Sequence, residues 1–148
     1  MAEITSNDVM IQWKQDATID ETILNTEICR TPSLHSKYLQ YYITFKDNLS
    51  KLEASYYRLG NMKRKYYRGE CTKEDLDKYG WFQFQGLKPS NTELTSHLEF
   101  DKDMNNIKEK INMAKNAVAV CEHIMKNIAG RDYSIKSLVE YNKYLNGN

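Results

Sequence analysis

Residues 34–69 read LHSKYLQYYITFKDNLSKLEASYYRLGNMKRKYYRG. Tyr38, Tyr41, Phe45, Asn48, Leu52, Ser55, Leu59, Met62 and Tyr66 follow one another in alternating steps of three and four. All but Asn48 and Ser55 are apolar or aromatic. That spacing puts them along one side of an α-helix, as in a coiled-coil seam. The stretch therefore predicts one long helix from Leu34 to Gly69, with Pro32 ending whatever precedes it and Thr31 or Ser33 as its cap. Gly60 lies inside it and costs about 1 kcal/mol relative to Ala, which marks a weak point or a close approach.

The pattern recurs downstream. His97, Phe100, Met104, Ile107, Ile111, Ala114, Val118, Cys121, Met125 and Ile128 keep the same steps, so a second long helix is expected from Ser90–Thr92 to a stop at Gly130. Ser6 is the expected cap of a short helix bearing Val9, Met10 and Trp13, and Asp20 the cap of another bearing Ile23, Leu24 and Ile28. Thr72 and Asp75 form a capping-box pattern ahead of a short helix that Gly80 stops. Trp81, Phe82, Phe84 and Leu87 are too apolar to float free and are expected to tuck against the long helices or a neighbouring subunit. A last helix carries Ile135, Leu138, Val139, Asn142 and Leu145 on one face. The expectation is an all-α fold, a long helical hairpin with coiled-coil-like seams plus short N-terminal helices and a C-terminal amphipathic helix. Residues 1–148 are read as a single helical domain, the part to residue 89 carrying the basic helix and a linker, and 90–148 the second long helix and the last one.

Composition agrees. The 148 residues include two prolines, six glycines and 11 tyrosines. Few breakers favour long helices, and tyrosine suits half-buried seams and contact surfaces. The longest apolar run, Ala117–Cys121, is far too short to span a bilayer, so no membrane association is expected. Cys29, Cys71 and Cys121 make no CxxC pair and no metal spacing, which fits a reducing compartment. Neither a cofactor nor a metal is implied. No glycine-rich phosphate loop, HExxH or GxSxG motif occurs, and His35, His97 and His123 lie too far apart to suggest shared chemistry. No catalytic residue is assigned. The acidic cluster Glu70, Glu74, Asp75 and Asp77 lacks calcium-loop spacing and reads as a solvated face or partner contact.

Net charge is only +1, yet its distribution is uneven. Residues 51–70 carry +4, and the blocks before and after them each carry −3. A local field of this kind attracts a polyanion even when the whole chain is near neutral. Between Tyr56 and Arg68 there are five cations and no acid. At 100° per residue, Tyr57, Arg58, Asn61, Arg64, Lys65 and Arg68 share a face opposite Leu52, Leu59 and Tyr66. Lys63 falls toward the seam and Tyr67 on a flank. Arginine and lysine neutralise phosphates and release counterions, and exposed rings stack bases. Neither term reads sequence, so the segment suits single-stranded nucleic acid in a sequence-tolerant way. An acidic protein partner and a merely solvated helix end are the other readings of the same residues.

Here the chain resembles the UvsY family, the recombination mediators of T-even-type bacteriophages. Ile19-Asp20 followed by Leu34-His35-Ser36-Lys37-Tyr38-Leu39 looks like its marine-phage branch. Lys63, Tyr66, Tyr67 and Gly69 match its central basic and tyrosine-pair pattern. Ile128–Arg131, Tyr133, Ile135-Lys136 and Leu145-Asn146-Gly147 match its tail. The resemblance implies a non-enzymatic protein of the infected cell's cytoplasm. Its implied partners are single-stranded DNA, the phage recombinase and the phage single-strand-binding protein, and it is implied to form a ring-like homo-oligomer that helps load recombinase onto DNA covered by that binding protein. Family DNA-contact positions carry over to Lys63 and, two residues earlier, to Asn61, where this chain has no charge. The candidate DNA-binding residues are thus Tyr57, Arg58, Lys63, Arg64, Lys65, Tyr67 and Arg68. The resemblance also implies an oligomerisation role for the last helix, hence for Ile135, Leu138, Val139, Asn142 and Leu145. A helical adaptor docking its basic segment on an acidic partner is the alternative.

Overall fold

The computed structural model describes residues 3–147. Among these residues the chain forms α-helices, one single-turn 3-10 helix and no strand, so the fold is all-α. The helices are α1 (Ser6–Asp16), α2 (Leu24–Tyr67), α3 (Lys73–Tyr79), α4 (Asn91–Glu99), α5 (Lys102–Ala129) and α6 (Arg131–Leu145), with the 3-10 turn at Glu21–Ile23. The chain divides into two compact units, Met1–Asp47 with Ala114–Asn148, and Asn48–Met113. Both α2 and α5 contribute to each unit, and within each their segments run antiparallel. No described helix is long and apolar enough to cross a membrane.

In the first unit, Val9, Leu34, Tyr38, Phe45, Val118, Cys121, Ile124, Ile128 and Ile135 are buried together. Tyr38 stands edge-on to Trp13, with centroids 5.4 Å apart, and its hydroxyl donates to Asp16 at 2.7 Å. Asp16 also pairs with Lys37 at 2.7 Å, which ties α1 to α2. Burial holds the Cys121 thiol up at about 11, so it behaves as a small apolar group.

Four boundaries differ from the sequence expectation. The cap of α1 is Thr5, one residue before Ser6. Its hydroxyl accepts from the Asp8 N–H and the Asp8 carboxylate accepts from the Thr5 N–H. Pro32 does not end a helix either, because α2 runs through it from Leu24. Proline there removes one backbone bond and crowds the preceding turn, at a cost of about 3 kcal/mol. That turn is gripped from outside by Arg131, which donates to the Glu27 carbonyl, to the Glu27 carboxylate and to the Thr31 hydroxyl. Arg30 adds a fork onto the same carboxylate, both contacts 3.0 Å, and Thr31 donates to Asp132 at 2.8 Å. Tertiary bonds thus hold the strand of helix that local preference would break.

The second expected helix is two. α4 starts at a Ser90–Glu93 capping box and ends at Glu99. Asp101 then restarts the chain by accepting from the Met104 N–H at 2.9 Å. The interruption turns Phe100 outward, 84 % exposed, instead of into a seam. Beyond it Met104, Ile111, Ala114, Val118, Cys121 and Ile128 are buried as their spacing predicts. Gly130 keeps right-handed angles, so α6 follows α5 with no left-handed stop. The Thr72–Asp75 capping box and the Gly80 stop, at φ 68°, form as expected.

Two stability outcomes follow. A Cβ at Gly60 would meet only the Met104 methyl, at an ordinary 3.5 Å, so Gly60→Ala should stabilise the chain by up to about 1 kcal/mol in urea unfolding. Arg131→Met leaves the Glu27 carboxylate, only 4 % exposed, without its buried partner and should cost about 3–5 kcal/mol by the same measurement.

Candidate nucleic-acid interface

The basic segment is the last three turns of α2. Arg64 and Lys65 sit in its final turn, where cations suit the negative end of the helix dipole. Gly69, at φ 73°, reverses the chain. Its N–H donates to the Tyr66 carbonyl at 3.1 Å and the Glu70 N–H to the Lys65 carbonyl at 2.9 Å, a Schellman closure that needs the left-handed glycine.

The structure sorts the seven candidates into two groups. Arg58, Arg64, Lys65 and Arg68 are exposed, and Tyr57 is 71 % exposed beside them. Arg58 reaches only Ser55 at 3.4 Å and Arg64 only Asn61 at 3.3 Å. Among the described residues no carboxylate comes within ion-pairing distance of these four cations. None of the four is locked in a close ion pair and all face water, although Asp75 lies within Coulomb range of Lys65.

Lys63 is the opposite case. It is 5 % exposed, its ammonium 3.1 Å from Asp101 and 2.8 Å from Asp103 and 4.1 Å from the Trp81 ring centroid. In this structure it is not open to a phosphate. Tyr67 is also engaged. Its hydroxyl donates to Asp101 at 2.6 Å, and its ring stacks on His97 with centroids 4.9 Å apart and planes 11° from parallel. This burial agrees with the helical wheel, which puts Lys63 toward the seam, and not with the carry-over from the family, which puts it at the DNA.

Asp101 joins these contacts, accepting from Lys63, from Tyr67 and from the Met104 N–H. Burial pushes its carboxyl up. The hydrogen bonds from Tyr67, Met104 and Lys63, with the ammonium's charge, outweigh burial and hold it below the usual carboxylate range. The Tyr67 phenol is pushed well above its ordinary value, by burial first and then by Asp101. Around this hub Tyr66 packs on Trp81 and Phe84, and Phe84 on Tyr67 and His97. The expectation for the 81–87 segment is therefore half met. Trp81 and Phe84 tuck in, while Phe82 and Leu87 are 89 % and 93 % exposed. Sequence reasoning did not single out Asp101, although an aspartate three residues ahead of Met104 is a legible cap signal.

On α6, the expected oligomerisation face is partly used by the chain itself. Ile135 is fully buried in the first unit. Leu138, Val139 and Asn142 are half-buried, and Val139 and Asn142 line a shallow groove with residues 21–26. Leu145, 61 % exposed, opens to solvent with Tyr141 and Tyr144.

The Asp101 hub makes stability depend on pH. Its folded carboxyl titrates below the unfolded value of about 3.8, so its contribution is complete above that value and is lost as pH falls through and below it. Asp101→Ala should flatten the acid limb of a pH–unfolding profile relative to the wild type, and should lower stability at pH 7 by about 1–3 kcal/mol, because Lys63 keeps Asp103 while the Tyr67 hydroxyl and the Met104 N–H lose their acceptor.

A protein-family model described as "Recombination, repair and ssDNA binding protein UvsY" matches residues 12–148. Three crystal structures of the bacteriophage T4 recombination mediator protein UvsY share the fold. Lattice type II superposes with a TM-score of 0.82 at 20 % identity, covering 96 % of this chain and 98 % of that one. Type IV gives 0.82 at 20 % identity with 95 % and 99 % covered, and type I gives 0.81 at 21 % with 93 % and 98 %. No curated protein matches the sequence significantly. The model's match over almost the whole chain shows that the protein belongs to the UvsY family of recombination, repair and single-stranded-DNA-binding proteins.

Proposed function

We propose that this chain is a non-enzymatic recombination mediator that holds single-stranded DNA on the stripe of Tyr57, Arg58, Arg64, Lys65 and Arg68. It then helps place the phage recombinase on DNA covered by the single-strand-binding protein. The observation that carries the reading is the set of four exposed cations on one helix face, none of them ion-paired among the described residues. Phosphates supply the missing counter-charge, and Tyr57 supplies a face for a base. Four phosphate contacts per chain bind weakly at physiological salt, so repetition in a homo-oligomer multiplies them into useful avidity. The open apolar end of α6 is the surface offered to that assembly.

Fluorescence anisotropy with a labelled single-stranded oligonucleotide across a salt series tests the stripe. Each phosphate contact contributes about −0.7 to the slope of log affinity against log salt. Combining Arg58→Ala, Arg64→Ala and Lys65→Ala should weaken binding strongly and flatten the slope by about 2 per chain. Lys63→Met should lower folding stability yet leave that slope at the wild-type value. Binding that ignores salt, or a triple variant that binds normally, refutes the stripe. Mass in solution with and without the oligonucleotide tests assembly.

A further inference from the structure

Beside the stripe lies a cleft that the phosphate contacts do not use. It belongs to the second unit, between the last turn of α2 and α4, and has a volume of about 460 Å³. Tyr67, His97 and Phe100 supply rings, and Thr92, Glu93 and Ser96 supply hydroxyls and a carboxylate. Phe100 sits where the helix is interrupted between α4 and α5, with 84 % of its surface in water and no ring of the described residues stacked on it. Tyr67, one wall of the cleft, follows Arg64 by three residues on α2, so the two are neighbours on the helix surface.

We propose that this cleft takes a nucleobase of the bound single strand, stacked on Phe100, while its phosphates stay on Arg64 and Arg68. This rests on the DNA-binding reading above. The chemistry of the walls selects the ligand. One Glu93 oxygen accepts from the Ser90 N–H at 2.9 Å, leaving the other to accept a base N–H. That carboxylate repels a phosphate, so the strand enters base first. An aromatic floor with a polar rim matches a base, which has two π-faces and a hydrogen-bonding edge. Neither the stacked pair of Tyr67 and His97 nor the buried Asp101 has to move.

The test compares a thymidylate oligonucleotide with an abasic one of equal phosphate number, using the full-length chain. The wild type should prefer the thymidylate. Phe100→Ala should lose about fivefold or more in thymidylate affinity, with abasic affinity and salt slope unchanged. Phe100→Trp should bind thymidylate at least as well as the wild type. Because Phe100 is exposed, both variants should keep the wild-type unfolding midpoint. If Phe100→Ala binds thymidylate like the wild type, or loses both oligonucleotides equally, no base sits on Phe100. Salt-independent binding by the wild type would instead overturn the stripe itself, which separates the two failures.

Discussion

One carboxylate organises the second unit. Asp101 starts α5 by capping it, and the same side chain accepts from Lys63 and Tyr67 on α2. A buried carboxylate without partners would carry a large desolvation penalty. Here two hydrogen-bond donors and a cation offset it, so the three groups stand together. Once Tyr67 is fixed, His97 stacks on it and Phe84 closes over both. Trp81 covers the Lys63 ammonium from the other side. The aromatic cluster is thus arranged around an ion pair, which explains why so many large rings follow a basic segment.

That arrangement also separates two kinds of cation that look alike in sequence. Lys63 is neutralised inside the protein and contributes little field outside. Arg58, Arg64, Lys65 and Arg68 keep theirs. A field made by a few exposed cations free of close ion pairs on one helix face is enough to attract a polyanion when net charge is near zero. Rigidity helps here, because the helix that carries the stripe is anchored by its opposite face.

The first unit uses the same device for a different end. Arg131 and Glu27 form a buried pair at the start of α6, and their bonds fall on the turn that Pro32 weakens. The pair holds the beginning of α6 against α2, which sends Ile135 into the core and leaves the far end of α6 open. The helix to which the resemblance implies a role in self-association is therefore open chiefly toward its C-terminal end.

Much was legible from spacing alone. The all-α class, the buried face of α5 beyond Met104, the Thr72 and Gly80 signals and the exposed cationic face all follow from local rules, because helical periodicity and cap chemistry act within a few residues; the α2 seam does not hold past Phe45, where Asn48 is exposed and Gly60 and Lys63 are the buried positions. Family membership was legible as well, since the order of small motifs survives along the chain. Other features depend on partners distant in sequence. The burial of Lys63 goes with Asp101 and Asp103, the turn of α2 at Pro32 is braced by Arg131, and the outward turn of Phe100 comes where Asp101, held by α2, restarts the helix. A buried charge is tolerated only where an opposite charge meets it, and tertiary structure decides where that meeting occurs.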